Sequence, residues 1–313
     1  MKALVATDYG PPLQVLRIAD IPDPAPAPAP GQVLVRVQAA ALNPFDVKLT
    51  IGELREMVPI QHPFVIGMDA SGTVAGVGEG VSGYAEGEPV FGYSGLAAGT
   101  VAEYTLMQAG PFLAKRPDGL DPVRAAGIPQ SGLTALHLLR AAELKPGQRA
   151  LVVGATGGIG MFVVQLAVAE GVEVIATATP DDVEYVLSLG ASHVVDYTAG
   201  DVAEQTFSVY PDGVDVVLDL VNVGSDLGAS AAAAKPGGRV VSSLGGPTDL
   251  GRGVTGVYIG MMTPQPGDLE DLGAMATRGL HIEVGATYPL DRAVQAVVDF
   301  ATKHIRGKVV ITV

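Results

Sequence analysis

The apolar positions of this chain change period at about residue 120. Before that point the apolar runs are short. Residues 1–7, 15–19 and the alternating QVLVRVQAAA of 32–41 read as half-buried strands. Further short runs at 63–74, 77–81, 89–92 and 100–107 follow at close spacing, with glycines between them. That pattern predicts a compact β-rich domain rather than βαβ units. Residues 22–30, PDPAPAPAP, are the one low-complexity piece. Alternate prolines predict an extended polyproline II connector, the alternative being a ligand for a proline-recognition module.

After residue 120 strands and helices alternate. Asp121 and Pro122 open a helix with an acidic N-cap, and 131–144 is strongly helical. Residues 150–153 predict a buried parallel strand, 161–170 an apolar helix and 172–177 a second strand. A helix at 182–189, strands at 190–195 and 213–220, a helix at 224–234 and a strand at 239–244 continue the series. The fold class is therefore α/β, with a doubly wound parallel sheet whose ligand lies at the strands' C-terminal ends. Tyr197, Val221, Leu244 and Gly245 fall at such ends. The remainder predicts helices at 268–278 and 290–304 and strands at 282–285 and 307–313.

The candidate chemistry starts at Gly154-Ala-Thr156-Gly157-Gly158-Ile159-Gly160, set between a strand and a helix. Glycines allow a tight turn, bare backbone beside a pyrophosphate and close helix–strand packing. The helix N-terminus adds free N–H groups and partial positive charge. A dinucleotide site at Thr156, Gly157, Gly158 and Ile159 is the expectation. A second feature is Asn43-Pro44-Phe45-Asp46, where proline keeps Asn43 out of the helical region at a sharp corner.

Composition narrows the function. The 313 residues allow about two domains, and no apolar run is long enough for a membrane span. The N-terminus lacks the pattern of a secretion signal, so a cytoplasmic protein is expected. The absence of cysteine removes disulfides, thiolate catalysis and any Cys-based zinc site. A net charge of −14 argues against nucleic-acid and anionic-membrane partners. The five histidines, at 62, 137, 193, 281 and 304, show no ligand spacing, and no metal is expected.

The order of the motifs resembles the medium-chain dehydrogenase/reductase superfamily. The resemblance rests on Asn43-Pro44-x-Asp46; Gly67-x-Asp69-x-x-Gly72-x-Val74-x-x-Val77-Gly78-x-Gly80-Val81; Ala102-Glu103-Tyr104; Ser131-Gly132-Leu133-Thr134-Ala135; the 154–160 turn; Leu189-Gly190-Ala191; and Arg306-Gly307-Lys308-Val309-Val310. Where the zinc alcohol dehydrogenases carry a metal-ligand Cys and His, this chain has Asn43 and Met68, and their four-Cys lobe is missing. It therefore looks like the zinc-free quinone oxidoreductase (zeta-crystallin-like) branch. The resemblance implies a GroES-like β-rich catalytic domain over 1–120, a Rossmann domain over 121–264 and a return to the catalytic domain over 265–313. It implies hydride transfer from NADPH to a quinone or α,β-unsaturated carbonyl, with Asn43 donating a hydrogen bond to developing charge. Asp46 would orient Asn43 or bind a ribose hydroxyl. A tyrosine that some relatives carry in a Gly-x-Tyr setting is absent, because Glu53 and Leu54 follow Gly52.

The resemblance places Pro44, Ser131, Thr134, Tyr258 and Lys308 among the cofactor residues. The second strand ends in Ala176-Thr177-Ala178-Thr179, with no acid for a ribose diol, which favours NADP(H). Against it, no Lys or Arg stands between Arg149 and Lys235, and Asp181 and Asp182 follow the strand. Thr177, Thr179, backbone N–H groups and Tyr197 would then hold the phosphate. The rival readings are an enoyl (thioester) reductase of polyketide or fatty-acid type and a non-catalytic NADPH-binding protein. Short-chain dehydrogenases share the glycine spacing, but no tyrosine here has Lys four residues on. A homodimer through the edge of the nucleotide-binding sheet is expected, with 239–244 as the candidate edge.

Overall fold

The computed structural model describes residues 1–25, 27–96 and 98–313, so Pro26 of the expected polyproline segment lies outside the described residues. The chain forms two compact units, Met1–Gln130 with Pro264–Val313, and Ser131–Thr263.

The first unit begins with β1 (Lys2–Ala6), β2 (Leu16–Asp20), β3 (Gln32–Ala41), β4 (Phe64–Val65), β5 (Asp69–Val77), β6 (Pro89–Tyr93), β7 (Tyr104–Gln108) and β8 (Leu113–Lys115). β2, β1 and β4 make a small sheet. The second unit carries β9 (Arg149–Val153), β10 (Glu173–Ala178), β11 (His193–Asp196), β12 (Val214–Asp219), β13 (Ala234–Ser242) and β14 (Thr255–Tyr258). The chain then returns to the first unit with β15 (Val284–Pro289) and β16 (Lys308–Thr312). These complete its large sheet, in the order β15-β16-β3-β5-β6-β8, with β7 on β3.

The register of this sheet gathers residues far apart in sequence. Ala41 at the end of β3 faces Val310 of β16 on one side and Asp69 of β5 on the other. Asp69 in turn faces Tyr93, the last residue of β6. Asn43, Asp69, Tyr93 and Lys308 therefore meet at one corner. Beneath it lies an apolar core that includes Leu4, Val33, Val35, Ile66, Val90, Val297 and Ile311.

The second unit is a six-stranded parallel sheet, ordered β11-β10-β9-β12-β13-β14. Strand order runs outward from β9 to β11 on one side and from β12 to β14 on the other. The reversal lies between β9 and β12, the place where such sheets take ligands. Leu151, Ile175, Val217 and Val240 are completely buried in its core. The α/β class, with one β-rich unit and one doubly wound parallel sheet, is as the alternation predicts.

Two expectations require correction. β13 is an inner strand, paired to β12 and β14, so the outer strand is β14 and not residues 239–244. β14 is four residues long, and its Gly256 breaks the apolar run that would have signalled a strand. The strand expected at 282–285 is instead Val284–Pro289. Gly285 reads as a stop in sequence. In the structure a Cβ there would stand 2.3 Å from the Arg306 carbonyl oxygen, so the glycine serves a close backbone approach inside the strand.

Candidate functional site

In the second unit the glycine turn is a cradle bare of side chains. Gly154 has φ +86°, and its N–H donates to Thr177 Oγ1 at 3.1 Å. A Cβ on Gly160 would lie 2.2 Å from the Gly154 carbonyl oxygen, so only glycine lets the helix start this close to the strand. A Cβ on Gly157 would meet only that same oxygen, at 3.5 Å, and otherwise open space. The helix Gly160–Ala169 follows. No side chain caps it at Ile159 and no acid stands in its first turn, which leaves its positive end available to an anion. The cradle fits a pyrophosphate.

The sheet's C-terminal ends carry the other expected residues. Tyr197, Val221 and Leu244 follow β11, β12 and β13 and are 47%, 58% and 38% exposed, an apolar rim along the sheet's C-terminal edge. Gly245, with φ +80°, has open space where a Cβ would stand. Ala178 is buried at the end of β10, and Thr156 and Ser131 are buried too. The Thr134 hydroxyl faces Met262 Sδ at 3.9 Å. The Tyr258 hydroxyl donates to the Pro247 carbonyl at 2.7 Å. Thr179 donates its hydroxyl to Asp182 at 3.0 Å within the turn after β10, whereas Thr177, inside β10, accepts from the Gly154 N–H of the glycine turn.

Asp219 escaped the sequence reading. It is buried at the end of β12 and accepts from the N–H of Val221 (2.9 Å), the N–H and Nδ2 of Asn222 (both 2.8 Å) and Ser230 Oγ (2.5 Å). It thereby shapes the turn that presents Val221. An acid closing the apolar run 214–220 was the available signal.

The first unit holds a buried charged corner. Asn43 is extended, φ −129° and ψ 156°, and caps the helix Pro44–Ile51, with Pro44 at its first position. Its backbone N–H donates to Asp46 Oδ2 at 2.8 Å. Its side-chain Nδ2 donates to Asp69 Oδ2 at 2.9 Å, and its Oδ1 accepts from Lys308 Nζ at 2.5 Å. Lys308 Nζ is also 3.6 Å from Asp69 Oδ2, and Asp69 Oδ1 accepts from the Gln130 N–H at 3.0 Å. Asn43, Asp46, Asp69 and Lys308 are all at most 3% exposed.

The corner bears on three expected roles. Asn43 commits its Oδ1 to Lys308 and one Nδ2 hydrogen to Asp69, which leaves the second Nδ2 hydrogen for the expected donor role. Lys308, expected among the cofactor residues, is buried in this corner against Asn43 and Asp69. Asp46 orients Asn43 by accepting from its backbone N–H, the first of its two expected roles, and is 2% exposed. In the sequence Asp69 stands out only as part of a motif. Its charge in an apolar strand was the signal that it needed a buried partner.

Burial pushes the Asp69 carboxyl up and the Lys308 ammonium down, and their mutual attraction opposes both shifts. Burial pushes Asp46 up to about 7, held back mainly by the N–H of Asn43. A carboxyl raised in the folded state favours the folded state at low pH, and that contribution is lost as pH climbs from the unfolded value to the folded one. The stability of the wild type relative to Asp46→Asn should thus fall by roughly 2–3 kcal/mol between pH 5 and pH 8. Urea unfolding of both proteins at the two pH values checks this, and a constant difference would refute it.

Comparison with known proteins agrees with this geometry. Residues 29–118 match the family of alcohol dehydrogenase GroES-like domains, and residues 189–311 match that of zinc-binding dehydrogenases. An NADPH-dependent alkenal/one oxidoreductase of Arabidopsis thaliana is 32% identical over 99% of this chain and 79% of its own length. A quinone oxidoreductase of Sus scrofa is 32% identical over 98% of this chain and 95% of its own. Among solved structures, an NAD-dependent alcohol dehydrogenase superposes with a TM-score of 0.90 at 29% identity, covering all of both chains. A mycobacterial protein complexed with NADPH gives 0.86 at 29%, again over both whole chains. With a GroES-like sheet unit, a parallel dinucleotide-type sheet and relatives matched from end to end, the chain belongs to the medium-chain dehydrogenase/reductase superfamily, in its quinone oxidoreductase branch.

Proposed function

We propose that this chain is a reductase that takes NADPH and passes hydride to a quinone or an α,β-unsaturated carbonyl, with no zinc in the reaction. The observation that carries the reading is the bare turn 154–160 at an uncapped helix start, within a fold whose relatives are alkenal and quinone oxidoreductases. NADPH, when bound, supplies the hydride. Thr156, Gly157, Gly158 and Ile159 would hold its pyrophosphate. Thr177, Ala178, Thr179 and Tyr197 would face the 2′-phosphate side, and Ser131, Thr134, Val221, Leu244, Gly245 and Tyr258 the remainder. Pro44 sets the corner at Asn43, and Asn43, Asp46, Asp69 and Lys308 act by fixing that corner in place.

Two observations favour NADPH over NADH. No acid ends β10, and Asp182 is buried with the Thr179 hydroxyl on it, so its carboxylate is not held out toward solvent. The relatives divide, two being NADPH proteins and one an NAD-dependent enzyme. The chemistry of the corner supports a reaction without zinc. An asparagine and a methionine replace the ligands of the zinc enzymes. The same reading gives a homodimer joined along β14, the sheet's outer strand.

Steady-state kinetics test the proposal, with NADPH and NADH as donors, an enal and a benzoquinone as acceptors, and a zinc chelator present or absent. The expected result is a kcat/KM at least about tenfold higher with NADPH, a gap of about 1.4 kcal/mol, and no loss with chelator. A preference for NADH reverses the cofactor assignment, and chelator-sensitive turnover reverses the zinc assignment. Failure to oxidise either nucleotide with any acceptor removes the function.

A further inference from the structure

We propose that the Tyr93 hydroxyl is the hydrogen-bond donor that meets the oxygen of the acceptor, an inference that rests on the reductase reading above. Tyr93 ends β6 directly opposite Asp69, at the corner where Asn43 and Lys308 also meet. Its ring is half-buried and packs on Phe112, with the ring centres 5.5 Å apart, so its oxygen is held in place. The hydroxyl donates to Met68 Sδ at 3.2 Å.

A thioether is a weak acceptor, so the hydroxyl loses little on turning to a carbonyl oxygen. The other polar groups of the corner are less available. The Asn43 amide is held by Asp69 and Lys308, and Ser94 Oγ donates to the Met68 carbonyl at 3.2 Å. Burial, followed by the charges of Asp69 and Asp46, pushes the Tyr93 phenol well up from its ordinary value. It therefore stays protonated and remains a donor. Met68, the residue it touches, stands where the zinc enzymes carry a ligand histidine.

In enone reduction hydride adds to the β-carbon, the C=C π electrons move toward the carbonyl, and negative charge collects on its oxygen. Tyr93 stabilises that oxygen by a hydrogen bond and keeps its own proton. Solvent supplies the proton that ends on the α-carbon. A quinone spreads the incoming charge into an aromatic ring and depends less on the donor.

The test compares wild type with Tyr93→Phe, which keeps the ring and removes only the oxygen. The expected result is a ten- to hundredfold fall in kcat/KM for an enal, a smaller fall for a benzoquinone and an NADPH Kd within about twofold of wild type. A second readout needs no turnover. trans-Cinnamaldehyde bound beside NADP+ should absorb at longer wavelength in wild type, as a hydrogen-bonded carbonyl does, and lose that shift in Tyr93→Phe. Enal kinetics within twofold of wild type, or an unchanged spectrum, would overturn the assignment. So would losses that match a weakened NADPH Kd, since those would mark a structural role. A wild type that reduces neither acceptor removes the reductase reading and this inference with it, whereas a wild type that reduces both beside an unaltered variant removes this inference alone.

Discussion

Lys308→Met should destabilise the protein by about 3–5 kcal/mol, the usual result of removing one partner from a buried ion pair. Methionine nearly preserves the volume, so a cavity would contribute little. What remains is Asp69, 0% exposed, without the ammonium 3.6 Å away, and Asn43 Oδ1 without its donor. The N–H of Gln130 and the Asn43 amide still reach Asp69, but neutral donors do not replace a buried cation. The deficit should shrink as pH falls, because Asp69, no longer held down by Lys308, takes up a proton and becomes neutral. Adding Asp69→Asn to Lys308→Met should restore most of the loss at neutral pH, as it removes the second charge. Urea unfolding of wild type, both single variants and the double variant gives the coupling energy directly. A Lys308→Met protein within about 1 kcal/mol of wild type would show that the pair contributes no such term.

The same corner shows why the sequence revealed the fold more fully than the site. The change of apolar period near residue 120 separates a β-rich stretch from an alternating one, because local spacing alone sets which faces are buried. The turn 154–160 was legible for a related reason. Its glycines, the strand before it and the helix after it are contiguous, so the whole device lies within one window. Asn43, Asp69, Tyr93 and Lys308 have no such window. They are brought together by the register of β16 on β3, β3 on β5 and β5 on β6, and no local pattern encodes register. Asn43 taken by itself resembles a free donor at a turn. Only the strand pairing reveals that its amide is already shared between Asp69 and Lys308. β14 and Gly285 fail for the converse reason. In each a glycine required by close packing looks, in sequence, like the end of a strand.

Two glycines of the turn separate packing from ligand binding. Gly160→Ala would place its Cβ 2.2 Å from the Gly154 carbonyl oxygen and 2.7 Å from backbone atoms of Ala155. None of these is the far end of a flexible side chain, so the helix Gly160–Ala169 must move away from β9. The expected cost is about 1–3 kcal/mol of stability, with NADPH affinity lowered at least about tenfold as the helix N-terminus leaves its place. Gly157→Ala is the contrasting case. Its Cβ meets one oxygen at 3.5 Å, ordinary contact, and the position is not at positive φ, so the fold should accept it with little change in Tm. The methyl group would instead stand in the open space left for a phosphate. NADPH affinity should again fall about tenfold, near 1.4 kcal/mol, this time without loss of stability. Thermal unfolding without ligand, beside nucleotide titration by fluorescence, reads the two quantities separately. If Gly157→Ala binds NADPH as wild type does, the pyrophosphate does not lie over that backbone, and the assignment of the turn as its cradle fails even though the fold around it stands.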